Sequence, residues 1–213
     1  MKKAFTDQRF EYSFKKFDKA DADPDPLHQF QIWLEEASKI NPDYFNAMVL
    51  STTGRKGKPS SRVVFLKGIE NEYFVFYTNY LSRKGKELAI NPFASLLFFW
   101  PEFERQIRIE GVVDKVSPDI SNEYFVTRPR ESRISALASS QSEIVSDRQA
   151  LEKRFEEINR QFEGMEIPRP DHWGGFRLKP DYFEFWQGRA SRLNDRIIYC
   201  KENNDWIIRR LFP

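Results

Sequence analysis

Residues 45–79 read FNAMVLSTTGRKGKPSSRVVFLKGIENEYFVFYTN and contain three consecutive runs rich in β-branched and aromatic residues. The runs are 45–52, 60–68 and 72–79, and the connectors between them, TGRKGKP and IENE, carry turn-forming residues. Runs of this length, separated by short turn segments with no helix between them, predict neighbouring antiparallel strands. This stretch therefore predicts a mainly β fold.

The strand pattern continues on the C-terminal side of this stretch. Further runs are FASLLFFW (93–100), RQIRIEGVVDKVS (105–117), GFRLKP (175–180), DYFEFWQG (181–188), RIIYCKE (196–202) and DWIIRRLF (205–212), and the last two predict a hairpin across Asn203-Asn204. About eight strands with few helices between the central ones predict an antiparallel barrel with helices packed outside. The chain lacks a βαβ alternation and a GxGxxG motif, which disfavours a Rossmann fold.

Helices are predicted between and around these strands. Asp25-Pro26 begins one that ends at Asn41-Pro42, RKGKELAI follows Ser82, and Ser117-Pro118 begins another that Pro129 ends. Ser146 with Gln149 forms a capping box for a further helix. The predicted buried stripes are Leu27, Phe30, Leu34 and Ala37 in the first helix, and Leu151, Phe155, Ile158 and Phe162 in the last. Residues 1–24 are interpreted as a flexible arm, and residues 25–213 as a single domain.

Charge and composition restrict the class of protein. The 213 residues carry a formal net charge of +2, which disfavours a general nucleic-acid binder. The chain has no apolar run of membrane-spanning length and no apolar signal-peptide core. Its single cysteine, Cys200, favours a reducing compartment, and a cytoplasmic protein is expected. Any anion recognition should then depend on individually placed basic residues.

Two pairs of basic residues indicate such recognition. Arg83 and Lys84 occupy the first positions of the RKGKELAI helix, where cations oppose the helix dipole. A phosphate on the free N–H groups of that turn would reverse the effect, although a solvated helix start is an equal alternative. Strand alternation places Arg62 and Lys67 on opposite faces. One ligand could touch both side chains only if the strand bulges or if the ligand wraps around the end of the strand. Alternatively, the two residues are charges at the strand ends and have no function.

The other polar patterns are less specific. Gln106, Arg108 and Glu110 alternate with apolar residues, which by default is a solvated face. In YFVTRPRES, a surface stacking pair of Tyr124 with Arg128 competes with a phosphate clamp. The isolated residues His28, His172 and Cys200 predict neither a metal site nor a catalytic thiol. Anion-binding groups and aromatic residues without a nucleophile favour a site where a bound cofactor supplies the chemistry.

Seven sequence blocks, taken in order, resemble the pyridoxine 5′-phosphate oxidase family. They are RVVFLK (62–67), FYTN with SRK (76–79, 82–84), RQ (105–106), YFVTRPRES (124–132), QS (141–142), HWGGF (172–176) and FEFWQG with RLNDR (183–188, 192–196). The resemblance extends from about Arg9 to the C-terminus. It implies an FMN-binding split β-barrel that forms a homodimer and oxidises pyridoxine or pyridoxamine 5′-phosphate with O2.

The resemblance also implies roles for individual residues. The flavin contacts it implies are Arg62, Val63, Val64, Phe65, Leu66, Lys67, Tyr77, Thr78, Arg83, Lys84, Gln106, Gln141, Ser142, Trp186 and Arg196. The substrate phosphate would be held by Lys67, Tyr124, Arg128 and Ser132. Arg192 and Asn194 would cover the pyridine ring as the catalytic pair, and Arg9 and Tyr12 would close over the substrate. Arg189 matches no contact of the family and is expected to be exposed to solvent.

The chain departs from the family pattern at two positions. Asn194 stands where the family usually has histidine, and asparagine does not titrate near neutral pH. Phe10 stands where a second arginine is common after Arg9. Two alternatives therefore accompany the oxidase hypothesis: a split-barrel flavoprotein with another substrate, and a non-catalytic binder of FMN or pyridoxal 5′-phosphate. A nucleic-acid module is a distant third.

Overall fold

The structure, a computed structural model, describes residues 11–13 and 15–213. These residues form nine strands: β1 (Ala47–Thr53), β2 (Pro59–Phe65), β3 (Gly68–Glu70), β4 (Tyr73–Asn79), β5 (Phe93–Trp100), β6 (Arg105–Lys115), β7 (Trp173–Gln187), β8 (Asp195–Glu202) and β9 (Asp205–Arg210). Five α-helices accompany them: α1 (Pro26–Ile40), α2 (Arg83–Ile90), α3 (Pro118–Thr127), α4 (Arg130–Ala138) and α5 (Arg148–Gln161). The mainly β prediction is confirmed.

The strands are hydrogen-bonded in the order β2-β1-β5-β6-β7-β4-β3, and β8 and β9 extend from β7. β7 is antiparallel to β4 over its first half, where Phe76 is opposite Phe176, and antiparallel to β8 over its second half, where Trp186 is opposite Arg196. The sequence predicted two strands here, divided at Pro180. The structure has one, because Pro180, which has no N–H to donate, lies between the residues paired with β4 and those paired with β8.

The contacts divide the chain into two compact units. The first unit comprises the described residues up to Val49 together with Ser95–Glu110 and Pro180–Pro213, and the second comprises Leu50–Ala94 and Gly111–Lys179. The boundaries of the predicted arm and single domain stay predictions. Among the described helices, none is long and apolar enough to cross a membrane.

An aromatic cluster fills the core of the first unit. α1 begins as predicted, because Asp25 accepts a hydrogen bond from the backbone N–H of Leu27 and Pro26 fits the first helical position. Its buried stripe contains Trp33 where Leu34 was expected. Trp33 packs edge-on against Phe17 at 4.9 Å and Phe185 at 5.2 Å between ring centroids. Phe17 is therefore a core residue, although it belongs to the segment interpreted as an arm.

Helices α3, α4 and α5 of the second unit pack on a core cluster that contains Phe125, Ile134 and Trp173. α4 was not predicted, because Ile134 and Leu137 are the only large apolar residues in SRISALASS and are too few to show a helical stripe. The predicted capping box of α5 was wrong: the helix begins after Asp147, whose carboxylate accepts from the N–H of Ala150 at 2.7 Å. Its predicted stripe is at most half-buried, and Leu151 is exposed.

Candidate functional site

A cavity of about 600 Å³ in the second unit lies beside β2 and the first turn of α2, and we call it the α2 cavity. Its lining combines consecutive β2 residues, the two cations that begin α2 and the segment that follows α4. The lining residues are Ser60, Ser61, Arg62, Val63, Val64, Phe65, Lys67, Tyr77, Thr78, Arg83, Lys84, Gln141 and Ser142. Basic groups and hydroxyl groups thus meet in one concave surface.

Lys84 is the buried cation of this cavity. Its side chain is 8% exposed, and Nζ donates to Thr78 Oγ1 at 3.0 Å, Ser82 Oγ at 3.2 Å and Gln141 Oε1 at 2.8 Å. These three partners are neutral, so the positive charge is not balanced by them. Burial, with a smaller contribution from Arg62, lowers the pKa of Lys84 to about 8. A solvated helix start is therefore excluded for Lys84, whose environment is suited to an anion.

Arg62 and Arg83 meet at one buried carboxylate, that of Glu87. Arg83 Nε lies 2.9 Å from Glu87 Oε1, one helical turn away, and Arg62 Nη2 lies 3.4 Å from Oε2. Burial by itself raises the pKa of Glu87, but hydrogen bonds from Ser60, Thr52 and Arg83 outweigh this effect and lower the pKa to about 2. Glu87 is therefore ionised at neutral pH and fixes both guanidinium groups.

A second cavity of about 670 Å³ in the same unit lies between β4, α3 and α4, and we call it the α3–α4 cavity. Its lining residues are Phe65, Lys67, Tyr77, Thr78, Asn79, Tyr124, Thr127, Arg128, Pro129, Ser132, Ser135, Ala136, Ser139, Gln141 and Trp173. All four residues that the resemblance implies for the substrate phosphate line it: Lys67, Tyr124, Arg128 and Ser132. Hydroxyl and basic groups here suit a phosphate.

Arg128 has an unsatisfied donor in this cavity. Its guanidinium lies over the ring of Trp173 at 4.4 Å, while its Nη1 atom is buried and has no hydrogen-bond partner among the described residues. Burial lowers the pKa of Arg128. Tyr124 does not stack on Arg128 as the alternative interpretation proposed. Its ring stacks on the ring of Tyr77, with 3.8 Å between the ring centroids. An unsatisfied buried guanidinium donor is costly unless a ligand accepts its hydrogen bond.

The two cavities share part of their lining. Phe65, Lys67, Tyr77, Thr78 and Gln141 line both. Strand alternation had placed Arg62 and Lys67 on opposite faces of one strand. In the structure β2 ends at Phe65, so alternation does not extend to Lys67. Arg62 and Lys67 both line the α2 cavity. Leu66, which follows β2, is the exception among the candidates at 62–67, since it is buried and lines neither cavity.

The segment 186–196 belongs to the first unit. Trp186 meets the ring of Tyr12 edge-on at 5.4 Å, and Arg196 Nε donates to Glu184 Oε1 at 2.7 Å. Asn194 Oδ1 accepts from the backbone N–H of Arg189 at 3.0 Å, which closes the turn. Arg192 is exposed and has a left-handed backbone with φ 59°.

Other expectations for the first unit need correction. Arg189 is half-buried and donates to Asp195 at 3.3 Å, so the prediction that it is solvent-exposed was wrong. The β6 face is not simply solvated, because Arg108 donates to the buried carboxylate of Glu184 at 2.7 Å. Gln106 is half-buried in β6. Arg9 and Phe10 lie outside the described residues.

Sequence reasoning did not select several residues that the structure places here. Glu87 holds two arginines, and Trp173 supports Arg128. A signal existed for Glu87, which lies four residues after Arg83 and so on the same helix face. Ser135 in α4 and Ser139 just after it also line the α3–α4 cavity, and they follow the predicted Ser132 at helical spacing.

Comparison with known proteins identifies the protein family and the class of fold. The family described as "Pyridoxamine 5'-phosphate oxidase" matches residues 34–162, and the "Pyridoxine 5'-phosphate oxidase C-terminal dimerisation region" matches residues 173–213. A solved FMN-binding protein from Nostoc punctiforme superposes with a TM-score of 0.70 at 16% identity over 89% of this chain and 98% of its own. The fold is thus that of the FMN-binding split barrels, as the sequence predicted.

Relatives of higher identity specify the family. The pyridoxine/pyridoxamine 5'-phosphate oxidase of Paraburkholderia phytofirmans is 50% identical over 96% of this chain and 97% of its own, and that of Cytophaga hutchinsonii is 49% identical over 100% of both. PhzG from Burkholderia lata, solved with tetrahydrophenazine-1-carboxylic acid, has a TM-score of 0.87 at 30% identity over 94% of this chain and all of its own. The chain belongs to the pyridoxamine 5′-phosphate oxidase family, and FMN is its cofactor.

Proposed function

We propose that this oxidoreductase is a pyridoxal 5′-phosphate synthase that oxidises pyridoxine 5′-phosphate or pyridoxamine 5′-phosphate with O2. The observation that carries the proposal is the α3–α4 cavity, where Lys67, Tyr124, Arg128 and Ser132 come together and Arg128 Nη1 has no described partner. A phosphate dianion would accept from that donor and offset the cost of burying it. A substrate without an anionic group could not form the charge-assisted hydrogen bond that this guanidinium offers.

The α2 cavity fits the phosphate end of FMN. Its donors are two arginines oriented by Glu87 and a buried lysine whose described partners are all neutral. Such a set suits an anion, and the lining shared with the α3–α4 cavity would place the cofactor beside the substrate. We also propose Gln106, Trp186 and Arg196 as flavin contacts, as the resemblance implies.

FMN, when bound, supplies the two-electron acceptor that takes a hydride equivalent from the 4′ carbon and passes the electrons to O2, which gives H2O2. The alcohol substrate then yields the aldehyde directly, and the amine substrate yields it with uptake of water and release of ammonia. The residues of the chain contribute positioning: Arg128 and Lys67 hold the phosphate, so that the 4′ carbon has one place to lie. Arg192 and Asn194 would cover the pyridine ring, and Arg9 and Tyr12 would close over it.

Assembly and location are part of the same proposal. The match to the dimerisation region supports a homodimer, and the single cysteine supports a cytoplasmic location. The near-neutral net charge supports neither nucleic acid nor an anionic membrane surface as a partner.

A second candidate function follows from the likeness to PhzG. That protein was solved with a tricyclic carboxylic acid, and a carboxylate could also accept from Arg128. The relatives at about 50% identity favour the B6 substrate over this alternative. A non-catalytic carrier of FMN or pyridoxal 5′-phosphate is a third candidate, because Asn194 stands where the family usually has histidine.

An aerobic assay separates these candidates. Purified protein, reconstituted with FMN, should be yellow and should release one H2O2 for each pyridoxal 5′-phosphate formed from either phosphorylated vitamer. Oxidation of a reduced phenazine carboxylic acid with no turnover of the vitamers would indicate the PhzG-like function. FMN-loaded protein that turns over neither class of substrate would refute the oxidase and leave the carrier.

A further inference from the structure

Glu87 is buried behind the α2 cavity and is not among the described residues that line it. Its Oε2 atom accepts from Thr52 Oγ1 at 2.5 Å and Ser60 Oγ at 2.6 Å, and it also lies 3.4 Å from Arg62 Nη2. Its Oε1 atom accepts from Arg83 Nε at 2.9 Å. One carboxylate thus connects β1, β2 and α2 through their polar side chains.

Folding alone gives little reason for this cluster. A buried ion pair is often no more stabilising than an apolar pair of the same volume, because desolvation offsets the attraction. Arg83 is still 58% exposed and would be free to point into solvent without its carboxylate partner. Arg62 is held from several sides, since Nη1 also donates to Leu50 O at 3.1 Å and Thr52 Oγ1 at 2.6 Å. The effect of the contacts with Glu87 is therefore to fix the positions of the Arg62 and Arg83 guanidinium groups.

We propose that Glu87 is a positioning residue that holds Arg62 and Arg83 in the orientation that receives the phosphate of FMN. This inference rests on the proposed placement of that phosphate in the α2 cavity. Preorganised donors bind an anion more tightly, because the conformational freedom of their side chains is lost on folding and not on binding. Arg62 and Arg83 together carry two positive charges against the single negative charge of Glu87, so the cluster keeps a net positive charge for the phosphate.

The test compares FMN with riboflavin, which has the same ring system and no phosphate, as ligands of the full-length apoprotein. Glu87→Gln keeps the size of the side chain and removes its charge. We expect about tenfold weaker FMN binding, the value of one charge-assisted hydrogen bond. Riboflavin affinity should change less than about twofold on the same scale. The control is Glu152→Gln, which removes the carboxylate from an exposed Arg148–Glu152 pair that is also one helical turn apart and does not line the α2 cavity.

Three results would overturn the proposal: unchanged FMN affinity, tighter FMN binding, or an equal loss for FMN and riboflavin. If Glu87→Gln does not fold, Glu87→Asp carries the same test, because it keeps the charge but cannot reach both arginines. A wild-type protein that does not prefer FMN over riboflavin would refute the phosphate placement itself. A failure of the role of Glu87 alone looks different. In that case the wild type prefers FMN over riboflavin, and Glu87→Gln keeps the same preference.

Discussion

Lys84 Nζ lies 2.8 Å from Gln141 Oε1, so the buried ammonium at the start of α2 is hydrogen-bonded to the segment that follows α4. Because burial lowers the pKa of Lys84 to about 8, the ammonium begins to lose its charge within an accessible pH range. A phosphate nearby favours the protonated form and would raise that pKa. FMN affinity should therefore be highest below pH 8 and fall as the pH rises above it.

Titration of the apoprotein with FMN between pH 7 and 10 checks this prediction. Lys84→Arg is the control, since arginine stays charged over this range and its profile should be flat. Riboflavin should show no comparable fall in the wild type. A wild-type FMN profile as flat as that of Lys84→Arg would contradict the proposed contact between Lys84 and the phosphate.

Arg128→Met should separate substrate binding from folding. Loss of charge-assisted hydrogen bonds worth about 1.5–3 kcal/mol should lower kcat/KM for the phosphorylated vitamers by roughly 10- to 150-fold. FMN affinity should not change. Because Arg128 Nη1 is buried without a described partner, the ligand-free variant should lose no stability, and relief of about 1 kcal/mol would raise Tm by roughly 2–4 °C. A fall in Tm with unchanged kinetics would make Arg128 a structural residue.

Asn194→His restores the residue that the family usually has. Asn194 Oδ1 accepts from the N–H of Arg189, and a neutral histidine can accept the same bond through one ring nitrogen. Turnover should therefore be maintained or raised, and its pH profile should gain a dependence near the pKa of histidine, about 6.5. Steady-state rates between pH 5.5 and 8.5 measure this. Weakened FMN retention would contradict the assignment of position 194 to the substrate.

Gly85 sets the approach of α2 to the turn before it. A Cβ atom there would lie 2.1 Å from the carbonyl oxygen of Tyr80, which leaves no room for a side chain. Gly85→Ala should destabilise the fold by about 3 kcal/mol or more and weaken FMN binding, because α2 would have to move. Gly54→Ala is the control, since its nearest contact would be an ordinary 3.5 Å. Equal denaturation midpoints for the two variants would contradict this packing.

Local signals were sufficient to predict most of the elements. Ser82 and Asn91-Pro92 fixed the bounds of α2, and Asn203-Asn204 fixed the last hairpin, where both residues have positive φ. The sequence failed where an element depends on long-range contacts. α4 was missed because two large apolar residues, Ile134 and Leu137, are too few to show a helical stripe. β7 was divided because Pro180 is tolerated only where the strand changes partners.

The site was predictable in its residue types but not in their environments. The sequence identified Arg83 and Lys84 as misplaced cations, but only the fold shows that Arg83 is held by Glu87 while Lys84 is buried among neutral groups. The faces of Arg62 and Lys67 could not be reconciled from strand alternation, because the end of β2 at Phe65 depends on tertiary structure. Burial and strand ends are global properties, and sequence spacing does not contain them.

The central claim is that the chain recognises its substrate through a phosphate. The most direct test is the ratio of kcat/KM for pyridoxine 5′-phosphate to that for pyridoxine, measured by H2O2 release from the FMN-loaded wild type. We predict a preference of at least about a thousandfold for the phosphorylated substrate, because pyridoxine would offer no phosphate to the buried Arg128 Nη1 donor and to Lys67 in the α3–α4 cavity. Equal values of kcat/KM for the two compounds would contradict the account.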